Sequence, residues 1–289
     1  MTQTTSLAQI KKSFKKRKRD SHKGQNGRVL VIGGSSELAG APGLAATASL
    51  AALKAGTDLV TVLAPEKAGF TINAYSPDLI VKKASGKFFT QKHVKKALGL
   101  AEKSDAVIIG MGIGREKASM RFCRKFVKKN AKPIVIDADA LRACKGMKLK
   151  GNSIITPHQN EFMEFTGKKI ADKKAEEKIF LVKEAAKRHN CVVLLKAKTP
   201  EYANVISDGK SVSLNNTGNA GMTKGGTGDV LAGLCGAYIA LGAKPLEAAR
   251  AAAFVNGKIG DELKKEMGYG FLASDFVKKI PNWTKKILE

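Results

Sequence analysis

Short apolar runs alternate with longer small-residue or charged stretches along most of the chain. RVLVIGG (28–34) has the pattern of a buried strand ending on glycines, and APGLAATASLAALKAG (41–56) predicts a small-residue helix closed by Gly56. DLVTVLAP (58–65) is again strand-like, with Pro65 as its stop. The same grammar then repeats. DAVIIGMGIG (105–114) predicts a strand and a glycine loop, and a lysine-rich helix over about 116–129 leads to PIVIDADAL, where a strand ends on Asp137. SIITP (153–157) predicts a strand opening into a helix that Pro157 can start. A charged helix at about 172–189 precedes the buried strand CVVLLK (191–196). YANVISDGKSVSLNN (202–216) reads as a hairpin turning at Asp208-Gly209, and two or three helices finish the chain.

Strands alternating with helices predict an α/β fold, a mostly parallel sheet covered on both faces. No Pro/Ser/Gly-rich linker and no fixed-period repeat divides 24–289, so one domain is expected there. Residues 1–23 form a basic N-terminal arm or a first helix. In a sheet of this kind ligands bind at the carboxyl ends of the strands. Those ends carry Gly33-Gly34, then Gly110, Gly112 and Gly114, then Asp137, Thr156-Pro157-His158 and Lys196. All five are expected along one edge.

Composition narrows the partners. Apolar content of 43% in 289 residues allows a sizeable core, and 6% aromatics argue against a stacking platform for single-stranded nucleic acid. The apolar stretch Val230–Ala243 is broken by glycines and is too short to span a membrane, and no secretory signal is read at the N-terminus; a cytoplasmic protein is expected. Cys123, Cys144, Cys191 and Cys235 lie far apart, as buried or inert thiols do, and the four histidines show no metal-ligand spacing. The net charge of +26 includes KKSFKKRKR at 11–19. Such an arm could bind nucleic acid non-specifically, with steep salt dependence lost on removing 1–23; no nucleic-acid motif accompanies it, so a lysine-rich solvated surface is the expectation.

The chemistry concentrates in NTGNAGMTKGGTGDVLAG (216–233), which has no bulky apolar side chain between Thr223 and Val230. There is no GxxxxGK[ST], and GMGIG lacks the spacing of a dinucleotide fingerprint. GGTGD offers another design. Gly225, Gly226 and Gly228 let backbone N–H groups approach an anion, and a helix starting near Asp229 adds its positive end. Asp229 has two readings there: a helix cap, or a base that takes a substrate hydroxyl's proton while the glycine amides hold the transferring phosphoryl group.

HKGQNGRVLVIGGS, AGAPGLAA, LKAGTDLVTVLAP, DADAL, TPHQNEF and GNAGMTKGGTGDVLAG, in this order over about residues 22–260, resemble the ADP/ATP-dependent NAD(P)H-hydrate dehydratase family of the ribokinase-like superfamily. The resemblance implies a three-layer αβα fold and a repair activity. Water is removed from the S epimer of NADH or NADPH hydrate (NADHX, NADPHX), coupled to ADP or ATP with Mg2+. It implies Asp229 as the catalytic aspartate, with Gly225, Gly226, Thr227 and Gly228 as the anion hole and Gly228 also near the nucleotide. It places Ala41, Gly112 or Gly114, and His158 against the hydrated dinucleotide. It sets Lys196, with Ala197, Lys198 and Thr199, against the AMP part of the nucleotide, and Asn160 and Glu161 in the magnesium and phosphate region. It further implies a homotetramer and a separate NAD(P)H-hydrate epimerase for the other epimer. Membrane association and specific nucleic-acid binding are not expected.

Each residue also has a plainer reading. His158 could sit in a helix first turn near Thr156, Lys196 could be one more surface lysine, and Asp137 and Asp139 a strand-end turn and a cap. The sequence departs from the family in three places: GMGIG stands for GPGLG, LLKAKT lacks a glycine after the lysine, and Lys224 stands beside the anion hole, where a further cation would suit phosphate. A ribokinase-like kinase for a small vitamin alcohol, needing a closed pocket rather than a long groove, is the alternative enzyme.

Overall fold

The computed structural model describes residues 2–14, 16–36, 40–197 and 203–289. Among them one sheet takes in β1 (Thr2–Thr4), β2 (Arg28–Ile32), β3 (Leu59–Pro65), β4 (Ile80–Ala84), β5 (Ala106–Ile109), β6 (Ile134–Ile136), β7 (Ser153–Ile155), β8 (Val192–Lys196), β9 (Asn204–Ser207) and β10 (Val212–Asn215). Their order is β1-β10-β9-β8-β7-β6-β5-β2-β3-β4. From β8 to β4 every neighbouring pair is parallel. The hairpin strand β9 runs antiparallel to β8 and β10, and β1 joins the far edge parallel to β10.

Buried on both faces, the central strands read as continuous apolar runs, and the pleat sends alternate side chains to two cores. Val29 and Val31 of β2, Ile108 of β5 and Leu194 of β8 enter one core. Leu30, Ile32, Ile109 and Leu195 enter the other. The first core is closed by α1 (Leu7–Lys11), α2 (Ala41–Lys54), α3 (Glu66–Tyr75), α9 (Thr227–Ala240), α10 (Pro245–Met267) and α11 (Ala273–Leu288). The second is closed by α4 (Val94–Glu102), α5 (Lys117–Lys129), α6 (Ala138–Ala143), α7 (Gln159–Thr166) and α8 (Ala175–His189). The result is the expected three-layer αβα arrangement.

Helix α9 is the element that matters for chemistry. Apolar nearly all round, it is buried between the sheet and α2, and the two helices touch through small residues. A Cβ on Gly233 would lie 2.4 Å from the Ala48 carbonyl oxygen, so only glycine allows this approach. That contact fixes where the first turn of α9 emerges at the carboxyl edge of the sheet. The four cysteines are all buried. Burial pushes the Cys144 and Cys191 thiols up to about 12, so neither supplies a thiolate nucleophile. No helix among the described residues is long and apolar enough to cross a membrane.

Part of the basic N-terminal segment lies on this body. Ser6 and Gln9 form a capping box for α1, Ile10 is buried, and the Phe14 ring stands edge-on to Tyr238 at 5.1 Å. Arg17 pairs with Asp58, which also accepts from the Gly24 and Asn26 amides at 2.7 and 3.0 Å. Burial opposes that charge, but these donors and the guanidinium outweigh it and hold the Asp58 carboxyl below its usual range. The edge strand β4 was not visible as a strand in IVKKA because only Ala84 of it is buried.

Candidate active site

The strand order sets β8, β7, β6, β5 and β2 side by side, so the five predicted ends do meet along one edge. Backbone bonds continue past the strands and knit the ends together. Lys196 N–H donates to the Pro157 carbonyl at 2.9 Å, Asp137 N–H to Ile109 at 3.0 Å, and Gly34 N–H to Met111 at 2.8 Å. Close packing explains the glycines of GMGIG. A Cβ on Gly112 (φ +58) would stand 2.4 Å from that of Ala41, so this loop seats directly on the start of α2. Gly114 N–H donates to Asp139 at 2.9 Å. The structure thus brings Ala41, Gly112 and Gly114 together.

Between Asp137 and Asp139 the chain passes through Ala138 at φ +48, a left-handed conformation costly for a residue with a Cβ. Asp137 follows β6 directly, at the strand end as the plainer reading had it, and its side chain makes no cap bond for α6. Its carboxylate, almost fully buried, instead accepts from the Thr156 hydroxyl at 2.7 Å and lies 3.4 Å from the Lys196 ammonium. Lys196 is therefore no surface lysine. Its side chain is 22% exposed and also lies 3.7 Å from Glu161. Burial works against its charge, yet the carboxylates of Asp137, Glu161 and Asp229 outweigh that and hold the ammonium above its ordinary value. Thr156 was placed at the site edge by the sequence but given no role; its signal is its position directly after β7, the strand between those leading to Asp137 and Lys196.

His158 is the N-cap of α7, and its Nδ1 accepts from the Asn160 and Glu161 amides at 3.1 and 3.2 Å. Glu161 closes the box by accepting from His158 N–H at 2.8 Å, and its other oxygen lies 3.3 Å from His158 Nε2. Burial raises the Glu161 carboxyl, with Lys196 pulling the other way. Gln159, also missed in the sequence, donates to the Ala197 carbonyl at 2.5 Å and fixes the chain just after β8. Lys198 and Thr199 lie outside the described residues. Beside His158 is a cavity of about 290 Å3 lined by Arg115, Asp139, Arg142, His158, Glu161 and Glu164.

The glycine loop completes the site. Gly226 (φ +93) is the N-cap of α9, so Asp229 is its third residue and not the cap. A Cβ on Gly225 would meet nothing within 4 Å, so this residue is not walled in by side chains. Thr227 turns its hydroxyl away from that space to the Met222 and Lys224 carbonyls, at 2.8 and 3.0 Å. A Cβ on Gly228 would lie 3.4 Å from the Lys196 ammonium, which brings the end of β8 beneath the first turn of α9. Asp229 is half-buried there. Burial first, and then the neighbouring Asp137, push its carboxyl up to about 8, against the pull of Lys196. Lys224 does not face this loop as the sequence suggested: its ammonium is taken by the Tyr269 and Phe271 carbonyls.

An acid poised near neutrality, amides at a helix start and a buried ammonium can together move a proton and a phosphoryl group. Among the described residues no group of three or more His, Cys, Asp or Glu could hold a metal ion.

Residues 29–282 match the family described as NAD(P)H-hydrate dehydratase. The bifunctional NAD(P)H-hydrate repair enzyme of Pyrobaculum aerophilum is 43% identical over 92% of this chain and 52% of its own length. The chain spans about half the length of the first such relatives it matches. The ADP-dependent (S)-NAD(P)H-hydrate dehydratase of Nitrosopumilus maritimus is 38% identical over 96% of this chain and 95% of its own. The ADP/ATP-dependent NAD(P)H-hydrate dehydratase of Bacillus subtilis, co-crystallized with ATP and Mg2+, superposes with a TM-score of 0.81 at 25% identity, over 99% of each chain.

Proposed function

The chain belongs to the NAD(P)H-hydrate dehydratase family, and we propose on that footing that it restores NADH and NADPH from the S epimers of their hydrates with ADP, or ATP, as co-substrate. One observation supports the mechanism above others: a carboxyl near pKa 8, half-buried in the first turn of α9 and set over Lys196. Asp229 accepts the proton of the ring hydroxyl as that oxygen attacks the terminal phosphorus of the nucleotide. The new P–O bond forms as the bond to AMP (from ADP) or ADP (from ATP) breaks. The ring C–O bond then breaks, inorganic phosphate leaves with the electron pair, and loss of a proton from the adjacent carbon forms the double bond.

Each assigned residue has a part in this scheme. The amides of Gly225, Gly226, Thr227 and Gly228 hold the transferring phosphoryl oxygens. Lys196, partly buried and preorganised by Asp137 and Glu161, faces the nucleotide beside Ala197. Ala41, Gly112, Gly114 and His158 line the path of the dinucleotide. Mg2+ fits as an ion borne by the nucleotide's phosphates, because the Glu161 oxygens are already engaged and magnesium commonly keeps waters and phosphate oxygens as ligands. Asn160 and Glu161 are the side chains that would meet it, and it would neutralise charge on the departing phosphate. A cytoplasmic homotetramer working beside a separate epimerase completes the proposal.

The test mixes NADHX or NADPHX with ADP, ATP or neither and follows the return of reduced-nicotinamide absorbance. Recovery only with a nucleotide is expected. Folded protein that recovers nothing with either nucleotide refutes the proposal, and a phosphorylated alcohol accumulating without recovery points to a kinase instead.

A further inference from the structure

The anion loop is built mostly of glycine, the residue that loses most freedom when ordered. Its amides hold one direction only if something outside the loop restrains them. Along 217–224 the restraints are visible. Thr217 bonds the Phe254 carbonyl at 3.1 Å, while Gly218 and Asn219 donate to Asp261 of α10 at 3.0 and 3.1 Å. The last side chain before Gly225 is Lys224. Its ammonium donates to the carbonyls of Tyr269 and, at 2.8 Å, Phe271, and lies 5.2 Å from the Phe271 ring centre. Both carbonyls belong to the strap 268–272 that joins α10 to α11.

The same strap packs against the loop from below. A Cβ on Gly221 would stand 2.6 Å from the Phe271 ring, and one on Gly226 would stand 2.7 Å from that of Ala273, the first residue of α11. Lys224 is thus the one cationic side chain of NTGNAGMTKGGTGD; its hydrogen bonds go to backbone oxygens of a segment more than forty residues later, and its charge also helps lower the Asp275 carboxyl in the first turn of α11.

We propose that Lys224 is a positioning residue: an ammonium tether that locks the strap 268–272 under the glycine loop and sets the direction of the amides that receive the nucleotide's phosphate. It does not itself touch the phosphate. The proposal rests on the nucleotide-dependent reading given above, and its test is chosen to stand apart from turnover.

ADP binding to wild type, Lys224→Met, Lys224→Gln and Lys224→Arg is measured by calorimetry at a temperature where each is folded. Lys224→Met is expected to weaken ADP binding about tenfold, Lys224→Gln severalfold, and Lys224→Arg, which keeps donors and charge, less than threefold. Propylamine added to Lys224→Ala restores much of the lost affinity, whereas sodium chloride at equal ionic strength does not. The dependence of Kd on salt keeps its wild-type slope in Lys224→Met, because no phosphate contact has been removed. A wild-type Kd in Lys224→Met overturns the tether, as does a flattened salt slope, which marks a direct phosphate contact. Should Lys224→Met fail to fold, equal affinities in the Gln and Arg variants overturn it too. Wild type that binds ADP but returns no reduced dinucleotide sinks the proposed function and leaves the tether standing.

Discussion

Replacing Asp229 with asparagine is expected to abolish most turnover and, at the same time, to stabilise the fold. The carboxyl has an ordinary value of 3.8 and is raised to about 8 by burial and by Asp137. Below pH 4 it is protonated in both native and unfolded chains and costs nothing. As pH rises toward 8 the unfolded chain ionises freely while the native site keeps its proton, so native stability falls. By pH 7 roughly three pKa units have been crossed, on the order of 4 kcal/mol at about 1.4 kcal/mol each. Solvent reaches part of the group, which scales the penalty down to about 2 kcal/mol. Asparagine mimics the protonated acid and removes that penalty. Urea midpoints of both proteins at pH 5, 7 and 8 measure it. The gain of Asp229→Asn is expected to grow from under about 1 kcal/mol at pH 5 to about 2 at pH 7, while turnover drops by roughly a hundredfold or more. A variant less stable than wild type at pH 7, or a difference that does not change with pH, refutes the electrostatic account; wild-type turnover refutes the base.

Two further outcomes test neighbouring residues. In wild type, kcat/KM for the hydrated dinucleotide should rise with unit slope and level near pH 8; in Lys196→Met the break should move higher, because the ammonium that draws Asp229 down is gone, and a profile flat across neutral pH contradicts this. Gly112→Ala puts a methyl group at φ +58 and 2.4 Å from the Ala41 Cβ. It should destabilise by about 1–3 kcal/mol and raise KM for the dinucleotide far more than KM for ADP, so equal effects on both would separate Gly112 from the dinucleotide path.

How much of this was legible depends on what each residue's neighbours are. The strands from RVLVI to CVVLLK announced themselves because a doubly buried parallel strand needs an unbroken apolar run, and their ends named the site edge in advance. β4 did not, since this edge strand buries only Ala84 and IVKKA resembles an amphipathic turn as much as a strand. Asp229 was singled out through its glycines, but its rank as third helical residue and not cap depends on Gly226 at φ +93, which no residue type declares. Asp137 stayed open in the sequence because its partners, Thr156 and Lys196, are 19 and 59 residues away and meet it only across β7. Lys224 misled for the same reason. A cation beside an anion loop suggests phosphate until the carbonyls of Tyr269 and Phe271 are placed against it.

The charge distribution has two scales that oppose each other. At long range a chain at +26 attracts polyanions, the proposed nucleotide and dinucleotide ligands included, within the roughly 8 Å over which salt leaves such fields effective. At the site itself the balance reverses, with Asp137, Glu161 and Asp229 gathered around the single ammonium of Lys196. Three ionised acids there would repel the phosphates that the surface attracts. Raising Asp229 to about 8 eases the conflict, because its protonated carboxyl leaves one negative charge fewer beside Lys196 while the anionic ligands enter. In the proposed mechanism Asp229 then has to lose that proton before it can take one from the substrate hydroxyl. An acid with an ordinary carboxylate value would be ready at neutral pH but would oppose binding. On that reading a group near 8 favours entry of anionic substrates and gives up part of its rate at pH 7, so the pH–rate profile should level near the pH at which the stability gain of Asp229→Asn stops growing.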